Sequence, residues 1–340
     1  MTRWSETRWA AAAAIVALAS LSSAASAQQA PESRAKAPAR ARSWTPARTP
    51  WGEPDLQGVY SNRTITPFER PDEFAGKAIL TDAETAELER RVVDRSADNR
   101  DAKGTAADVS RAYNEFWWDR GTQLVKTRRT SLVIDPPDGR IPPLTPEAKK
   151  KIALLDEANQ RPAQGPEDRP VSERCIVRPN SGPPMTPTGY NNNFRLVQVP
   201  GYVVIFNEQI HDARIIPIDG RPHLPQNIRQ WMGDSRGHWE GDTLVIETTN
   251  FTGKAPFRGS GENMHLVERF RRTDKDTLLY DFTVDDPQSF TRSWNGQIPM
   301  SPGPEHIFEY ACHEGNYSLE TTLSSARKLE AEQAAGKSSR

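Results

Sequence analysis

The chain has 340 residues with 44 Lys and Arg against 45 Asp and Glu, a formal net charge of -1, so it carries no global field to draw it to nucleic acid or to an anionic membrane. Recognition has to be local. Only 36% of the residues are hydrophobic and 28 are proline, which leaves enough apolar surface for one sizeable core but assigns much of the chain to irregular surface segments.

Arg3 and Arg8 precede an apolar run from Ala10 to Ala19 that ends in Ala25-Ser26-Ala27. This is the pattern of a cleavable secretory signal with its site after Ala27, and the run is shorter than the roughly 20 residues a membrane-spanning helix needs. The protein is therefore expected in the periplasm or beyond, without stable membrane insertion. Residues 28–48 are mostly Ala, Pro, Arg and Lys and read as a disordered basic linker.

Residues 49–325 are expected to form a single β-rich domain, in which 49–170 is a wrapping segment that contains helices and 171–325 a strand meander. Trp51 to Tyr60 combines a Pro-Asp turn with a first short strand. Thr81 as N-cap, Glu84 three residues later, and Leu88, Val92 and Val93 on one stripe predict a helix to about Asp98. Ser131–Asp135 predicts a strand, Pro136 to Gly139 a turn, and Pro146 the start of a second short helix through Ile152, Leu154 and Leu155. From Cys175 the hydrophobic period becomes two, with strands expected at 174–178, 194–199, 202–207, 213–218, 228–232, 243–249, 264–272, 277–285, 289–294 and 306–312. The fold class is mainly β: an antiparallel meander this long curls into a barrel or a two-sheet sandwich. Residues 326–340 read as a polar C-terminal tail. No fixed internal period marks a propeller or solenoid.

Cys175 and Cys312 are expected to pair, because an exported chain meets an oxidising compartment and no C-x-x-C spacing suggests a metal.

GHWEGDTLVIETTNF (Gly237 to Phe251), ENMHLVERFRR (Glu262 to Arg272) and DFTVDDPQSFTRSW (Asp281 to Trp294) resemble segments of a family of secreted proteins of soil bacteria. The resemblance extends to TPWGEPDLQGVY (Thr49 to Tyr60), to DPPDGRIPPLTPE (Asp135 to Glu147) and to the stretch from Tyr190 to His223. It implies secretion, and it implies no activity or site. The WEGDTL hairpin is also similar to those of lipocalin-type barrels, which implies a barrel that holds a ligand.

Strand alternation places Met264, Leu266, Glu268 and Phe270 on one face and His265, Val267 and Arg269 on the other, so Glu268 points with the apolar set. Arg214 likewise shares a face with Ile216 and Ile218. The two charges form either a buried ion pair or the polar floor of a pocket. Six histidines follow the signal, and His211, His265 and His313 stand in polar company suited to proton transfer. Neither H-x-H nor H-E-x-x-H spacing occurs, the Gly-rich phosphate loops are missing, and Gly259-Ser260-Gly261 is no nucleophile elbow, so neither a metal nor an organic cofactor is expected. Aromatic and amide clusters at Phe116-Trp117-Trp118 and Tyr190 to Asn193, with Trp231, Trp239 and Trp294, suit a sugar-like or phenolic ligand or a packed core.

Two functional readings follow. In one, the protein is a hydrolase or lyase that works on a small molecule by acid/base chemistry through His211, His265, His313, Glu268 and Arg214. In the other, it is a non-catalytic ligand-binding barrel with Tyr190, Asn192, Trp231 and Asp234 as contacts. A small molecule is the expected partner in both, and oligomeric state stays open.

Overall fold

The computed structural model describes residues 44–96, 118–255 and 257–338. The expected signal peptide, most of the linker, and Phe116 and Trp117 lie outside the described residues.

The expected mainly β fold is present. Ten strands form one antiparallel sheet: β1 Gly58–Ser61, β2 Val133–Asp135, β3 Asn193–Val199, β4 Tyr202–Asn207, β5 Ala213–Pro217, β6 Asp234–Glu240, β7 Thr243–Thr249, β8 His265–Asp274, β9 Thr277–Asp285 and β10 Trp294–Pro302. The order is β5-β4-β3-β1-β10-β9-β8-β7-β6, with β2 paired to the free side of β10. Two meanders, β3 to β5 and β6 to β10, are thus joined through β1, which pairs antiparallel with both β3 and β10. Turn chemistry sets the register: Gly201 and Gly241 supply the positive φ of two hairpins, and Asp274 accepts the Asp276 amide at 2.8 Å in a third.

The sheet curls until its edges lie side by side, with Gly237 of β6 against Ile216 of β5 and Ile218 just after it; a Cβ at Gly237 would stand 2.8 Å from the Ile218 methyl. No ladder joins β5 to β6, so the sheet is not closed into a barrel. Phe194, Ile205, Ile216, Ile246, Phe270, Tyr280 and Trp294, all fully buried, fill its interior. Met185, on the loop before β3, adds to this core and donates its amide to the Tyr280 hydroxyl at 3.1 Å.

The described residues hold three α-helices: α1 Asp82–Ser96, α2 Pro146–Gln160 and α3 Ser318–Ser338. The capping box of α1 is formed, with Glu84 accepting the Thr81 amide at 2.9 Å and Thr81 accepting that of Glu84 at 3.3 Å. Thr145 caps α2 ahead of Pro146. The expected C-terminal tail is helical as far as it is described; α3 buries Ala326 and binds the Ala163 and Gln164 carbonyls through Arg327. No helix of the described residues is long and apolar enough to cross a membrane.

Several expected elements differ. Residues 174–178 form turns, with Cys175 at φ 57, and 306–312 run as an irregular segment with Phe308 exposed. Residues 228–232, between Pro225 and the left-handed Gly233, make only an isolated bridge from Gln230 to Phe251. Ser289 and Phe290 donate their amides to Asp286 in a turn, Thr291 donates its amide to the Pro143 carbonyl, and the strand begins at Trp294 instead. The breakers Gly296 and Pro299 hid β10. The Gln297 amide points away from β9 to the Leu132 carbonyl, and two residues on Pro299 faces the same way, so its missing N–H costs the β9 ladder nothing. Residues 44–48, expected in the linker, are docked: Ala47 accepts the Asp55 amide at 2.8 Å, Arg48 pairs with Asp242, and Arg272 stands over the Trp44 ring.

Candidate functional site

Alternation along β8 turns Glu268 inward, where it is fully buried, and β5 turns Arg214 to meet it. The guanidinium grips the carboxylate with two hydrogen bonds of 2.5 and 3.1 Å, and the Tyr280 hydroxyl donates to the same carboxylate at 2.8 Å. Burial, and then the neighbouring charge of Glu268, hold the Tyr280 hydroxyl well above the usual tyrosine pKa. Three donors on one carboxylate satisfy its charge without water. The buried ion pair open in the sequence is formed, and it ties β5, at one end of the sheet order, to β8, third from the other end.

Above this pair lies the seam between β5 and β6. A cleft of about 500 Å³ occupies it, with Asp212, Arg214, Arg229, Trp231, Asp234 and Arg236 among its walls. Asp234, at 4% exposure, accepts from the Leu224 amide at 2.9 Å and from Arg236 at 2.6 Å, and its third contact is His223 Nδ1 at 2.9 Å. A carboxylate oxygen accepts, so Nδ1 is the donor in this contact and Nε2 is the ring nitrogen turned away from Asp234. This is the geometry of a histidine oriented by a buried aspartate.

Trp231 also forms a wall of an adjoining apolar cleft of about 230 Å³, shared with Val177, Pro184, Phe251, Phe257 and Met264. Arg178 borders it, donates from Nη1 to the Tyr190 hydroxyl at 3.0 Å, and keeps a buried Nε without a protein partner. Apolar walls with a few convergent polar groups are the usual make-up of a small-molecule site.

The seam therefore gathers Arg214, Trp231 and Asp234, with Glu268 behind Arg214. Tyr190 lies in a separate polar cleft of about 700 Å³, with Asn193, Glu208, Glu309 and Cys312. Asn192 is fully buried; its amide donates to the Asp119 and Thr188 carbonyls at 2.7 and 2.9 Å, which makes it scaffolding for the loop before β3. The three histidines are not brought together. His211 is exposed with its ring against Phe206, centroids 4.6 Å apart, and His313 is exposed beside the disulfide. His265 faces outward on β8, with Nε2 3.3 Å from Glu247. The alternation that buries Glu268 is what turns His265 out.

The expected disulfide is formed between Cys175 and Cys312, Cα atoms 5.8 Å apart. Among the described residues no cluster of three or more His, Cys, Asp or Glu is placed to hold a metal ion. The His223–Asp234 contact is what the sequence did not show: His223 stands in a proline-rich loop eleven positions before Asp234, and only the fold brings that loop back onto β6. In comparisons with known proteins, no family model, no curated protein and no solved structure matches this chain.

Proposed function

We propose that the protein is an exported binder of a small planar ligand, held at the seam with its ring on Trp231 and its polar edge toward Arg214 and Asp234. The observation that carries this reading is that Trp231 walls two adjoining clefts, one apolar and one ending on charged groups. The packed interior leaves the rim, and not a barrel lumen, as the place for a ligand. Export rests on the leader-like N-terminus and agrees with a disulfide, which persists in oxidising compartments. The test is calorimetric titration of phenols, phenolic amides and phenolic esters into wild type and Trp231→Ala. At least one class should bind, and losing the aromatic wall should weaken it by about tenfold or more without unfolding the protein. Unchanged affinity in the variant, or binding by none of the three classes, refutes the reading.

A second reading, acid/base catalysis of the hydrolase or lyase type, is favoured by the His223–Asp234 contact at 2.9 Å. His223→Gln would then abolish turnover of a bound compound while sparing its affinity; if binding and turnover fall together, or turnover persists, His223 is not the base.

A further inference from the structure

A further cleft, of about 400 Å³, shares no wall with the seam and includes Phe68, Trp118, Arg120, Leu132, Thr188 and Arg258. Its charge is one-sided. Both arginines are held over aromatic rings, the Arg120 guanidinium 4.2 Å from the centroid of Trp118 and that of Arg258 4.5 Å from the centroid of Phe68. Neither has a carboxylate partner among the described residues, and no Asp or Glu lines the cleft.

The walls are fixed by the fold. A Cβ at Gly189 would stand 2.1 Å from the Trp118 ring, so glycine there is what lets the indole lie against the loop before β3. Arg258 sits at φ 54 and Gly259 at φ 101, in a turn closed by the Ser260 amide on the Phe257 carbonyl at 2.9 Å and anchored by Ser260 on Asp286 at 2.6 Å. Such a position favours Gly, Asn or Asp. Here it carries an arginine whose head is exposed and paired with no acid.

The hydroxyls beside it are already engaged. Thr66 accepts the Val125 amide at 2.9 Å, and Thr188 donates to the Tyr190 carbonyl at 2.7 Å. That argues against a polyol ligand and leaves the two guanidinium groups as the free polar elements.

We propose that this cleft binds a small aromatic carboxylate, its carboxylate between Arg120 and Arg258 and its ring against Phe68, Trp118 and Leu132. Guanidinium forks match carboxylate geometry, and aromatic walls with stacked arginines match a planar ring. The site stands apart from the ligand site at Trp231.

The test uses the full chain and calorimetric titration with benzoate, benzamide and sulfate at low salt. Benzoate should bind, with benzamide at least about tenfold weaker. Arg120→Gln and Arg258→Asn should each weaken benzoate by about tenfold, and the pair should abolish binding. Asparagine is chosen because it tolerates the left-handed backbone at that turn. Trp231→Ala should leave benzoate affinity unchanged, so failure of the seam reading is distinguishable from failure of this one. Absence of benzoate binding, equal affinity for benzamide, equal competition by sulfate, or wild-type affinity in a folded double variant each overturns the proposal.

Discussion

Glu268→Gln tests the buried charge pair most directly. In the wild type the carboxylate has no solvent exposure and accepts two hydrogen bonds from Arg214 and one from Tyr280. Glutamine keeps the shape but removes the charge, and the Arg214 side chain, 6% exposed, is left as an uncompensated cation. Breaking a buried pair in this way costs about 3–5 kcal/mol. For a domain this large each kcal/mol is worth roughly 2–4 °C, so Tm should fall by about 6–20 °C in scanning calorimetry. The double variant Arg214→Met/Glu268→Leu removes both charges. Its hydrophobic replacement is worth from about zero to 4 kcal/mol, and the orphaned Tyr280 hydroxyl gives back about 1–3 kcal/mol, so most of the stability should return. With the singles Arg214→Met and Glu268→Leu completing the double-mutant cycle, non-additivity is then the signature of a pair. A Glu268→Gln loss under about 1 kcal/mol, or a double variant as unstable as the singles are in sum, refutes the reasoning.

Three further outcomes follow from the same structure. The Tyr280 hydroxyl keeps its proton where the unfolded chain, near the ordinary value of 10.0, gives it up; stability is therefore intact below that pH and falls above it, by up to about 1.4 kcal/mol per pH unit. Tyr280→Phe should flatten this alkaline slope in urea titrations, and an unaltered slope would show that another group carries it. The Lys77 ammonium, and then Thr81, hold the Glu84 carboxyl down at about 2, so its contribution is present above the ordinary carboxylate range and is lost as pH falls toward 2. Carbon-13 NMR should find that titration displaced upward in Lys77→Met; no displacement would detach Lys77 from the cap. The disulfide closes a separation of 137 residues, which on chain-entropy grounds is worth at most about 5 kcal/mol. Among the described residues, the bonds that hold 303–317 include those from Asn316 and Arg195 to the Glu173 and Glu305 carbonyls at 3.0 Å. The Cys175→Ser/Cys312→Ser variant should therefore lose less than that ceiling and be cut by protease within 303–317; equal protection of that segment in both forms would deny it the role of a clamp.

What was legible in the sequence was whatever rests on local periodicity. The inward turn of Glu268 and Arg214 followed from alternation, and the α1 and α2 starts followed from Thr81, Glu84 and Pro146, because caps and pleats are decided within a few residues. The strands that failed were those that depend on a partner. Residues 306–312 have an apolar pattern but no neighbouring edge, while β10, with Gly296 and Pro299, is carried by β9 despite its breakers. The site divided in the same way. Residue type pointed to Trp231 and Asp234, but the approach of His223 to Asp234 depends on where a proline-rich loop lands, and the three histidines were grouped on polar neighbours that say nothing about which side of the sheet each faces.

The unclosed seam links stability to the proposed binding. A sheet this long leaves two edges, and unpaired edges invite association unless something covers them. At one end of this seam Gly237 admits Ile216 and Ile218, and Arg236 reaches across to the Pro222 carbonyl at 3.0 Å. At the other end β5 turns Arg214 inward, and the space it vacates is the cleft beside Trp231. No ladder sets the width of that gap; the position of β5 is set by its pairing with β4 and by the grip of Arg214 on Glu268 across the interior. Glu268→Gln should consequently weaken ligand binding at Trp231 as well as lower Tm, even though Glu268 does not line the cleft. Tyr60→Phe, which removes a buried hydroxyl bond to the Leu56 carbonyl at 2.9 Å from the middle of the strand order, should lower stability alone. If titration finds both variants equally weak in binding, or Glu268→Gln unimpaired, the ion pair does not govern the seam.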